Sequence, residues 1–504
     1  MNHVDPLAPC LVGTGRRTWH PGGDAAPEPL DMWVEVARRA AADVGATVDV
    51  LAAIDDLSIV HCQAWAYDDP AARCAEGLGL RPGRRDESIL AGTSPQRLLD
   101  AAATRMLAGD TSVALVVGAE ALATRKPFDR AGETPPWSFP HPTPPLLPVD
   151  LDEWYLPTEM RHGILPAWLT FALLEQARWA ERGASLEGRS ELGRLMERLH
   201  GVAANNPEAW FQAPAAGADE LCTPSASNRM VATPYTKRMT AFIDVDMAAA
   251  NLMVTHEFAE QWGVPPERRV YLRGWGFARD AVHIGARRHL GSSPAMAAAT
   301  GEALKMSQLT VDDLDVFDLY SCFGSAVQFA TDALGITVDD PRPLSQTGGL
   351  AYHGGPSSNY MGHSISHLVD HLRANPGATG LATGVGMHMT KHVAGVWSTT
   401  PGPVERGHDH GAQRWSHGSD GPGANDVEVT DEHSGPATVL AASVIHASNG
   451  AADHAVAICE LPDDRRCYAL TRDSATVAAI GADHWVGAAA HLTPTGDGTN
   501  ELKL

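Results

Sequence analysis

The sequence contains an internal repeat, which constrains the fold more than any other feature. Ile54–Val60 (IDDLSIV) matches Val311–Phe317 (VDDLDVF), and Cys74–Leu80 (CAEGLGL) matches Ala330–Ile336 (ATDALGI). The offsets of the two matches are 257 and 256 residues. Two matches at nearly one offset indicate a duplicated segment. The alternative is chance likeness between common α/β segments, because Ala, Leu and Gly match easily.

Each copy has the pattern of alternating helices and strands. Such alternation is typical of mostly parallel sheets covered by helices, and its duplication predicts two sheets packed around a shared helical layer. Glycines at the ends of two predicted helices, Gly79 and Gly335, are typical C-terminal caps. The predicted strands are Ser58–Gln63, Ser88–Ala91, Ser112–Val117 and Asp315–Leu319, and the predicted helices are Asp69–Leu78, Pro95–Ala108 and Ser325–Leu334.

A different region, about residues 125–235, separates the two copies. Its proline-rich part, Trp137–Pro148, cannot be regular structure, whereas Ala167–Arg182 and Leu186–His200 have the pattern of amphipathic helices. Long excursions of this kind often cover a functional site. We therefore divide the chain into a first half (1–262) that carries this insertion and a second half (263–400).

The last hundred residues differ from the rest in composition and in the predicted secondary structure. Residues 401–426 are rich in Gly, Pro, His and Ser and predict a solvated linker; His408, His410 and His417 there lack the spacing of a metal site. Short β-rich runs then predict a small antiparallel barrel over 427–504, similar to an OB fold. Its predicted strands are Ala437–His446, His454–Glu460, Arg466–Thr471, His484–His491 and Glu501–Leu504.

Composition excludes several classes of protein. Lys and Arg number 38 against 61 Asp and Glu, a net charge of −23, which argues against nucleic-acid binding and against anionic membranes. Seven cysteines without a C-x-x-C pair indicate neither a disulfide framework nor a zinc site, so no metal is expected. With no secretory signal and no apolar run long enough to span a membrane, we expect a cytoplasmic protein.

Several motifs occur in one order along residues 1 to about 400. Gly92-Thr93-Ser94-Pro95-Gln96 opens a helix, and Val116-Val117-Gly118-Ala119-Glu120 forms the next strand. Tyr320-Ser321-Cys322-Phe323, Thr347-Gly348-Gly349-Leu350, Gly354-Gly355-Pro356 and the glycine-rich run Gly380–Gly386 follow. This series resembles the thiolase superfamily, and most closely the sterol-carrier-type thiolases and type 1 thiolase-like proteins with an added C-terminal β-domain.

The resemblance implies a duplicated, five-layer αβαβα fold with a helical loop domain, plus the small C-terminal OB-like barrel. It also implies a site between the halves that takes a CoA thioester, with CoA or an acyl-CoA as ligand and no tightly bound cofactor. The barrel would then dock a protein partner or pack against its own chain.

The catalytic positions of the family are changed in this sequence. By resemblance, the nucleophilic cysteine falls on Gly92, the catalytic histidine on Gly355, the oxyanion-holding residue on Tyr320, and the second cysteine near Val385. A thiolase needs a thiolate at the start of a helix, and glycine offers none. Thr93 and Ser94 follow Gly92, where helix capping is the expected role of their hydroxyls.

A rebuilt site around Cys322 is an alternative hypothesis. Cysteine and histidine together can transfer acyl groups, although a lone cysteine can equally be a small buried hydrophobe. Histidines occur in segments expected to converge there, and two tyrosines can donate hydrogen bonds or fill space. The catalytic candidates are Cys322, Tyr320, His353, His363 and His388, with His392 and Tyr352 nearby.

Ligand-binding candidates come from three segments. Glycines can cradle a pantetheine by close backbone approach or simply permit turns. Arginines on the second insertion helix can meet CoA phosphates or pair with neighbouring glutamates. The candidates are Ser94, Gly348, Gly349, Gly354, Gly355, Arg194 and Arg198.

Three hypotheses follow. The first is a thiolase-like protein of lipid metabolism that binds an acyl-CoA or related thioester without ordinary thiolase activity. The second is an active acyl-CoA acyltransferase, similar to acetyl-CoA acetyltransferases, with a relocated site at Cys322 and the histidines. The third is a non-catalytic partner subunit or scaffold.

Overall fold

The computed structural model describes residues 4–46, 48–144, 151–183, 185–403, 426–482 and 485–504. Most of the predicted linker, with His408, His410 and His417, lies outside these residues, as does His484. No helix in the described part of the chain is both long and apolar enough to cross a membrane.

The first half begins with alternating strands and helices, as predicted. Asp69 accepts a hydrogen bond from the backbone of Ala72 and starts one helix, which ends at Gly79 in the left-handed conformation. The elements are β1 (Pro9–Thr18), α1 (Pro29–Asp43), β2 (Asp56–Ile59), α2 (Pro70–Leu78), β3 (Arg84–Glu87), α3 (Ser94–Ala108) and β4 (Val113–Ala121).

The strand predicted at Ser88–Ala91 is wrong. The strand is β3, which pairs in parallel with β2 from Arg84 opposite Asp56 to Glu87 opposite Ile59. It lies at the edge of the sheet, so its charged side chains alternate between exposed and partly buried positions. An edge strand does not need the apolar residues that favoured the later segment.

A helical segment, residues 122–245, lies between β4 and the next strand of the main sheet. The two helices predicted there are confirmed as α7 and α8. The elements are α4 (Leu122–Ala131), α5 (Leu151–Trp154), α6 (Pro157–Arg161), α7 (Ala167–Glu181), α8 (Ser185–Ala204), α9 (Ala218–Cys222), β5 (Met230–Ala232) and β6 (Tyr235–Thr236).

The remainder of the main fold repeats the first pattern. Helix α12 ends at Gly335 in the left-handed conformation, as α2 ends at Gly79. The elements are β7 (Asp246–Thr255), α10 (His256–Gln261), β8 (Val270–Arg279), α11 (Pro294–Ser307), β9 (Val316–Asp318), α12 (Gly324–Leu334), α13 (Tyr360–Ala374), β10 (Thr379–Gly386) and β11 (Lys391–Ser398).

The described strands of the two halves are hydrogen-bonded in the order β3-β2-β4-β7-β1-β8-β11-β10-β9. The halves join where β1 and β8 run antiparallel over two residue pairs, Cys10 with Tyr271 and Leu11 with Val270. Both strands carry a Gly-x-Gly sequence, Gly13–Gly15 and Gly274–Gly276, and a Cβ on any of these glycines would overlap the backbone of α1 or α11. This matching close packing supports the duplication.

Helices α3 and α13 lie between the two wings of this sheet. Helix α3 packs against β4 and β11, and α13 packs against β7 and β10, so each contacts both halves. Helices α1 and α11 cover the outer faces, against β1 and β8. The layers therefore follow the predicted αβαβα order, and the site is expected where α3 begins between the wings.

The C-terminal residues form a closed barrel. Within 426–482 and 485–504, five strands pair in the closed order β12-β13-β14-β16-β15-β12, all antiparallel except β14 with β16. The strand predicted at His484–His491 begins later, because a helix precedes it. The elements are β12 (Gly435–His446), β13 (Ala452–Glu460), β14 (Arg466–Thr471), α14 (Ser474–Ala482), β15 (Ala489–Pro494) and β16 (Asn500–Lys503).

The barrel is joined to the helical segment by strand pairing. Ala232 of β5 pairs with Ile445 of β12, and the Ser443 hydroxyl donates to the carbonyl of Thr233 at 2.9 Å. Strand β12 also packs against α7. The barrel therefore packs against its own chain.

Candidate functional site

A cavity of about 420 Å³ lies at the start of α3. It is bounded by the first half, the helical segment and the second half. The lining is mostly apolar and aromatic, with a few polar groups, as expected of a small-molecule site. The lining residues are Leu90, Ala91, Gly92, Trp154, Tyr155, Leu165, Ala167, Trp168, Phe171, Thr240, Ala241, Ile243, Tyr320, Cys322, Phe323, Leu350, Gly355, Ser357, Ser358, Val385, Met387 and His388.

The four positions that the resemblance assigns to changed catalytic residues all line this one cavity. Gly92 precedes α3, Tyr320 follows β9, Gly355 lies in the loop before α13, and Val385 lies in β10. They are distant in sequence, and the fold brings them together.

Tyr320 fills the space beside Gly92. A Cβ at position 92 would lie 2.6 Å from Cζ of Tyr320, and closer still to its hydroxyl and to the carbonyl oxygen of Val385. Because Val385 contributes backbone, the space cannot be recovered by turning one side chain. The position that would carry a nucleophile therefore has no room for a side chain.

The residues that follow Gly92 do not cap α3 through their side chains. The Ser94 hydroxyl is buried and donates to the carbonyl of Ile89 at 2.8 Å, and Thr93, the N-cap residue, makes no capping hydrogen bond. The capping expectation is wrong, because Ser94 instead fixes the loop before the helix. Ser94 is not part of the cavity lining.

Tyr320 is held rigidly. Its backbone N–H donates to the Thr383 hydroxyl at 2.9 Å, and its ring meets that of Tyr360 edge-on at 5.4 Å between centroids. Burial raises the pKa of Tyr320 well above its ordinary value. It therefore presents a neutral phenol.

Cys322 lies on the cavity wall two residues beyond Tyr320. Burial raises the pKa of its thiol above the ordinary value. The start of α12 at Gly324 does not offset this effect, since the shift remains upward. A protonated thiol is a poor nucleophile.

His388 is the one candidate histidine on the cavity wall. Its Nε2 lies 2.9 Å from the Tyr155 hydroxyl and its Nδ1 lies 2.9 Å from the Thr170 hydroxyl. Both hydroxyls also donate to carbonyl oxygens at 3.0 Å, Thr170 to Ala167 and Tyr155 to Leu165, so the two ring nitrogens have equivalent partners. Burial lowers the pKa of His388 to about 4, which keeps the imidazole neutral near pH 7.

The turn that carries His388 has an unusual backbone. Met387 and Met389, on either side, have φ values of 55° and 58°, which residues other than glycine rarely adopt. The turn is fixed at its end, where Asp280 N–H donates to the carbonyl of Thr390 at 2.9 Å. Such local strain is often found at functional sites.

The other histidines lie elsewhere. His353 and His363 are fully buried beside His367. The ring centroid of His353 lies 5.6 Å from that of His363 and 5.5 Å from that of His367. Burial lowers the pKa of His363 to about 3 and that of His353 well below its ordinary value. Neither histidine lines the cavity, because His363 lies in α13 rather than in a loop and His353 packs against it.

His392 and Tyr352 also lie away from the cavity lining. His392 Nε2 lies 3.1 Å from both Asp280 and the Ser293 hydroxyl at the start of α11, and the Tyr352 ring packs edge-on against His200 at 4.5 Å. Of the catalytic candidates, the structure therefore brings only Cys322, Tyr320 and His388 to the cavity.

Three of the four candidate glycines allow backbone conformations that other residues rarely adopt. Gly348, Gly349 and Gly354 have φ values of 100°, 88° and 99°, in the region that favours glycine. They are absent from the cavity lining, whereas Gly355 borders the cavity beside Leu350.

The two candidate arginines bind the second half. Arg194 pairs with Asp339 at 2.8 Å on the surface, and Arg198 donates to the carbonyls of Val338 and Arg342. Neither lines the cavity; Arg198 borders a second, open cavity of about 680 Å³ together with Arg16, Glu208 and His367. No group of three or more His, Cys, Asp or Glu side chains in the described ranges can hold a metal ion.

The sequence did not single out the aromatic residues of the helical segment. Trp154, Tyr155, Trp168 and Phe171 form one wall. The signal was present, because the segment was expected to cover a site and these aromatic residues occur in or beside its helices. Without the tertiary structure, however, such residues cannot be told from ordinary core.

The whole chain is similar to a solved protein. A monomeric SCP2-thiolase like protein type 1 (STLP1) from Mycobacterium smegmatis matches 100% of both chains at 30% identity, with a TM-score of 0.83. The chain belongs to the thiolase superfamily. A curated acetyl-CoA acetyltransferase from Methanothermobacter thermautotrophicus is 24% identical over 273 residues, 51% of this chain and 67% of that protein.

Two solved structures of lower identity support the fold alone. The Ltp2-ChsH2(DUF35) aldolase covers 78% of this chain and 98% of its own at 16% identity and a TM-score of 0.60. Acetyl-CoA acetyltransferase from Syntrophomonas wolfei covers 79% of this chain and 100% of its own at 17% identity and a TM-score of 0.55. No protein-family model matches the chain.

Proposed function

We propose that this thiolase-superfamily protein binds a CoA thioester in the cavity at the start of α3 and does not perform ordinary thiolase chemistry. The position of Tyr320 carries the proposal, because its hydroxyl and the Val385 carbonyl occupy the space that a nucleophilic side chain at position 92 would need. The surviving cavity has the size and apolar lining of a ligand site.

The residues that line the cavity support binding of a thioester ligand. The aromatic wall from Trp154 to Phe171 suits an apolar chain, and Ala91, Gly355 and Ser358 add lining without bulky side chains. In this proposal Arg194 and Arg198 reach CoA phosphates only by giving up part of their present contacts. Lipid metabolism is the expected context, as for the family that the sequence resembles.

Calorimetric titration with CoA, acetyl-CoA and a longer acyl-CoA tests the binding. Wild type is expected to bind at least one of them, and Ala241→Trp, which fills the cavity, is expected to abolish binding. Ala131→Trp, at an exposed site on α4, is the matched control and should bind as wild type does. Absence of binding by wild type to all three ligands would refute the proposal.

A thiolysis assay with acetoacetyl-CoA tests the chemistry. No turnover is expected. Turnover at the usual enzymic rates of about 1–1000 per second would overturn the assignment.

A relocated acyltransferase site is the second candidate, because Cys322 and His388 line the same cavity. This candidate requires an acyl group on the Cys322 sulfur, which is detectable by mass spectrometry after incubation with acyl-CoA. Loss of any turnover in Cys322→Ala, with binding retained, would favour this alternative over the first proposal.

A further inference from the structure

The barrel contributes no residue to the described cavity lining, yet it contacts both elements that hold His388. One contact runs through Glu159 of α6 to Tyr155, which precedes that helix, and the other runs through α7 to Thr170. They reach different nitrogens of the His388 ring, and the Tyr155 hydroxyl also donates to the carbonyl of Leu165 just before α7 at 3.0 Å.

The first contact is a buried hydrogen-bond chain. The Tyr468 hydroxyl of the barrel donates to Glu159 at 2.5 Å, and the other Glu159 oxygen accepts from the backbone of Leu156 at 2.8 Å. Leu156 follows Tyr155, whose hydroxyl contacts His388 Nε2. One carboxylate therefore links the barrel to the residue beside the cavity.

The second contact is through α7. Strand β12 packs against this helix, and Trp168 and Phe171 from the same helix line the cavity. Thr170, between them, contacts His388 Nδ1. The position of α7 thus sets both the cavity wall and one partner of the histidine.

The junction cannot loosen without leaving buried polar groups unpaired. Glu159 and Tyr468 are 2% and 0% exposed. The Tyr468 hydroxyl also accepts from the backbone of Gly285 at 2.8 Å, which adds the second half to the junction. Unpaired buried groups are costly, so the barrel, α6 and the loop at Gly285 are expected to move together.

We infer that Glu159 and Tyr468 are positioning residues through which the docked barrel holds the His388 side of the cavity in its binding geometry. The inference rests on the proposed function. Because coupling between two equilibria is reciprocal, ligand in the cavity should also tighten the barrel onto the helical segment.

The test compares CoA and acetyl-CoA affinity in wild type and Tyr468→Phe. The variant keeps the ring and removes the hydroxyl. We expect affinity to fall by at least about 5-fold, the lower end of typical coupling between sites. Ligand should slow hydrogen exchange in β14 of wild type and not in the variant. Equal affinities would overturn the inference.

Two controls separate positioning from loss of barrel stability. Leu502→Ala removes a side chain buried in the barrel's own core and should leave affinity unchanged; if it weakens binding as much as Tyr468→Phe, the inference is wrong. Glu159→Gln retains a carbonyl oxygen for Tyr468 and should bind more tightly than Glu159→Leu, whereas equal affinities of these two variants would contradict a positioning role.

Failure of the proposed function remains distinguishable. If wild type binds neither ligand, the binding proposal falls, and exchange without ligand decides the inference. Tyr468→Phe should then exchange faster than wild type over residues 154–171 and 387–390, which border His388. Unchanged exchange in both segments would refute the coupling.

Discussion

The two ends of the cavity differ in how they depart from a thiolase site. At the Gly92 end a side chain is missing, and Tyr320 and the Val385 carbonyl fill the space. At the His388 end side chains are present, and Tyr155 and Thr170 satisfy both nitrogens of the imidazole. One end is closed by packing and the other is organised by hydrogen bonds, so the same fold leaves no room for a side chain at position 92 while retaining a polar wall.

The largest effect is expected from Gly92→Cys. The new Cβ would overlap Tyr320 and the Val385 backbone, so we expect a loss of at least about 3 kcal/mol in unfolding free energy, at the upper end of overpacking costs. Chemical denaturation measures this loss. Gly301→Ala in α11, where nothing lies within 4 Å, should be neutral or stabilising.

Adding Tyr320→Ala to Gly92→Cys sharpens the same comparison. The double variant should recover only part of the stability, because the Val385 carbonyl remains. Full recovery, or a fully stable Gly92→Cys, would show that Tyr320 does not close this end as described.

Acid should destabilise the His388 end. Its imidazole is neutral in the folded protein, with a pKa of about 4, and an unfolded histidine titrates near 6.5. Below pH 6.5 the unfolded state binds more protons, so stability falls as pH drops towards 4, by roughly 3 kcal/mol for this residue. His363, with a pKa of about 3, adds to the decline.

Unfolding free energies between pH 4 and 7 check this prediction. His388→Gln, which does not titrate, should lack this contribution, so the difference in unfolding free energy between wild type and the variant should change by roughly 3 kcal/mol over this range. Identical slopes for the two proteins would show that His388 is not held neutral by its surroundings.

Tyr155→Phe should have a moderate effect. It removes the hydroxyl that contacts His388 Nε2, with an expected loss of about 1 kcal/mol. The freed nitrogen should react faster with diethyl pyrocarbonate, which peptide mapping can locate. Tyr67→Phe, which removes a tyrosine hydroxyl remote from the cavity, should leave the His388 rate unchanged.

Cys322→Ala should have the smallest effect. The thiol is protonated because burial raises its pKa, so we expect ligand affinity within about 2-fold of wild type, less than 0.6 kcal/mol. Iodoacetamide labelling near pH 7 should be slower at Cys322 than at a free cysteine in solution. Rapid labelling would instead support the acyltransferase alternative.

Much of the fold could be predicted because its signals are local. Gly79 and Gly335 end matching helices, and the repeated strand patterns identify the duplication. The edge strand β3 could not be found in this way, because its sequence, Arg84–Glu87, is charged throughout. Such a sequence can form a strand here because β3 lies at the edge of the sheet and pairs with β2 only. The helix α14 was missed for a related reason, because a short apolar run fits a helix or a strand.

The site divides in the same manner. Sequence motifs located Gly92, Tyr320, Gly355 and Val385, because each lies in a recognisable local pattern. They did not separate His388 from His353 and His363, since a histidine carries the same signal whether it faces a cavity or lies in the core. Only the packing of the folded chain decides which of these histidines faces the cavity.

The sequence by itself determined the duplicated architecture, the added barrel and the glycines at positions 92 and 355, since these depend on residue type and order along the chain. Tertiary structure alone decided that Tyr320 closes the space at Gly92, that His388 remains on the cavity wall, and that the barrel reaches it through Glu159. These depend on distances between residues far apart in sequence, which only the packed chain fixes.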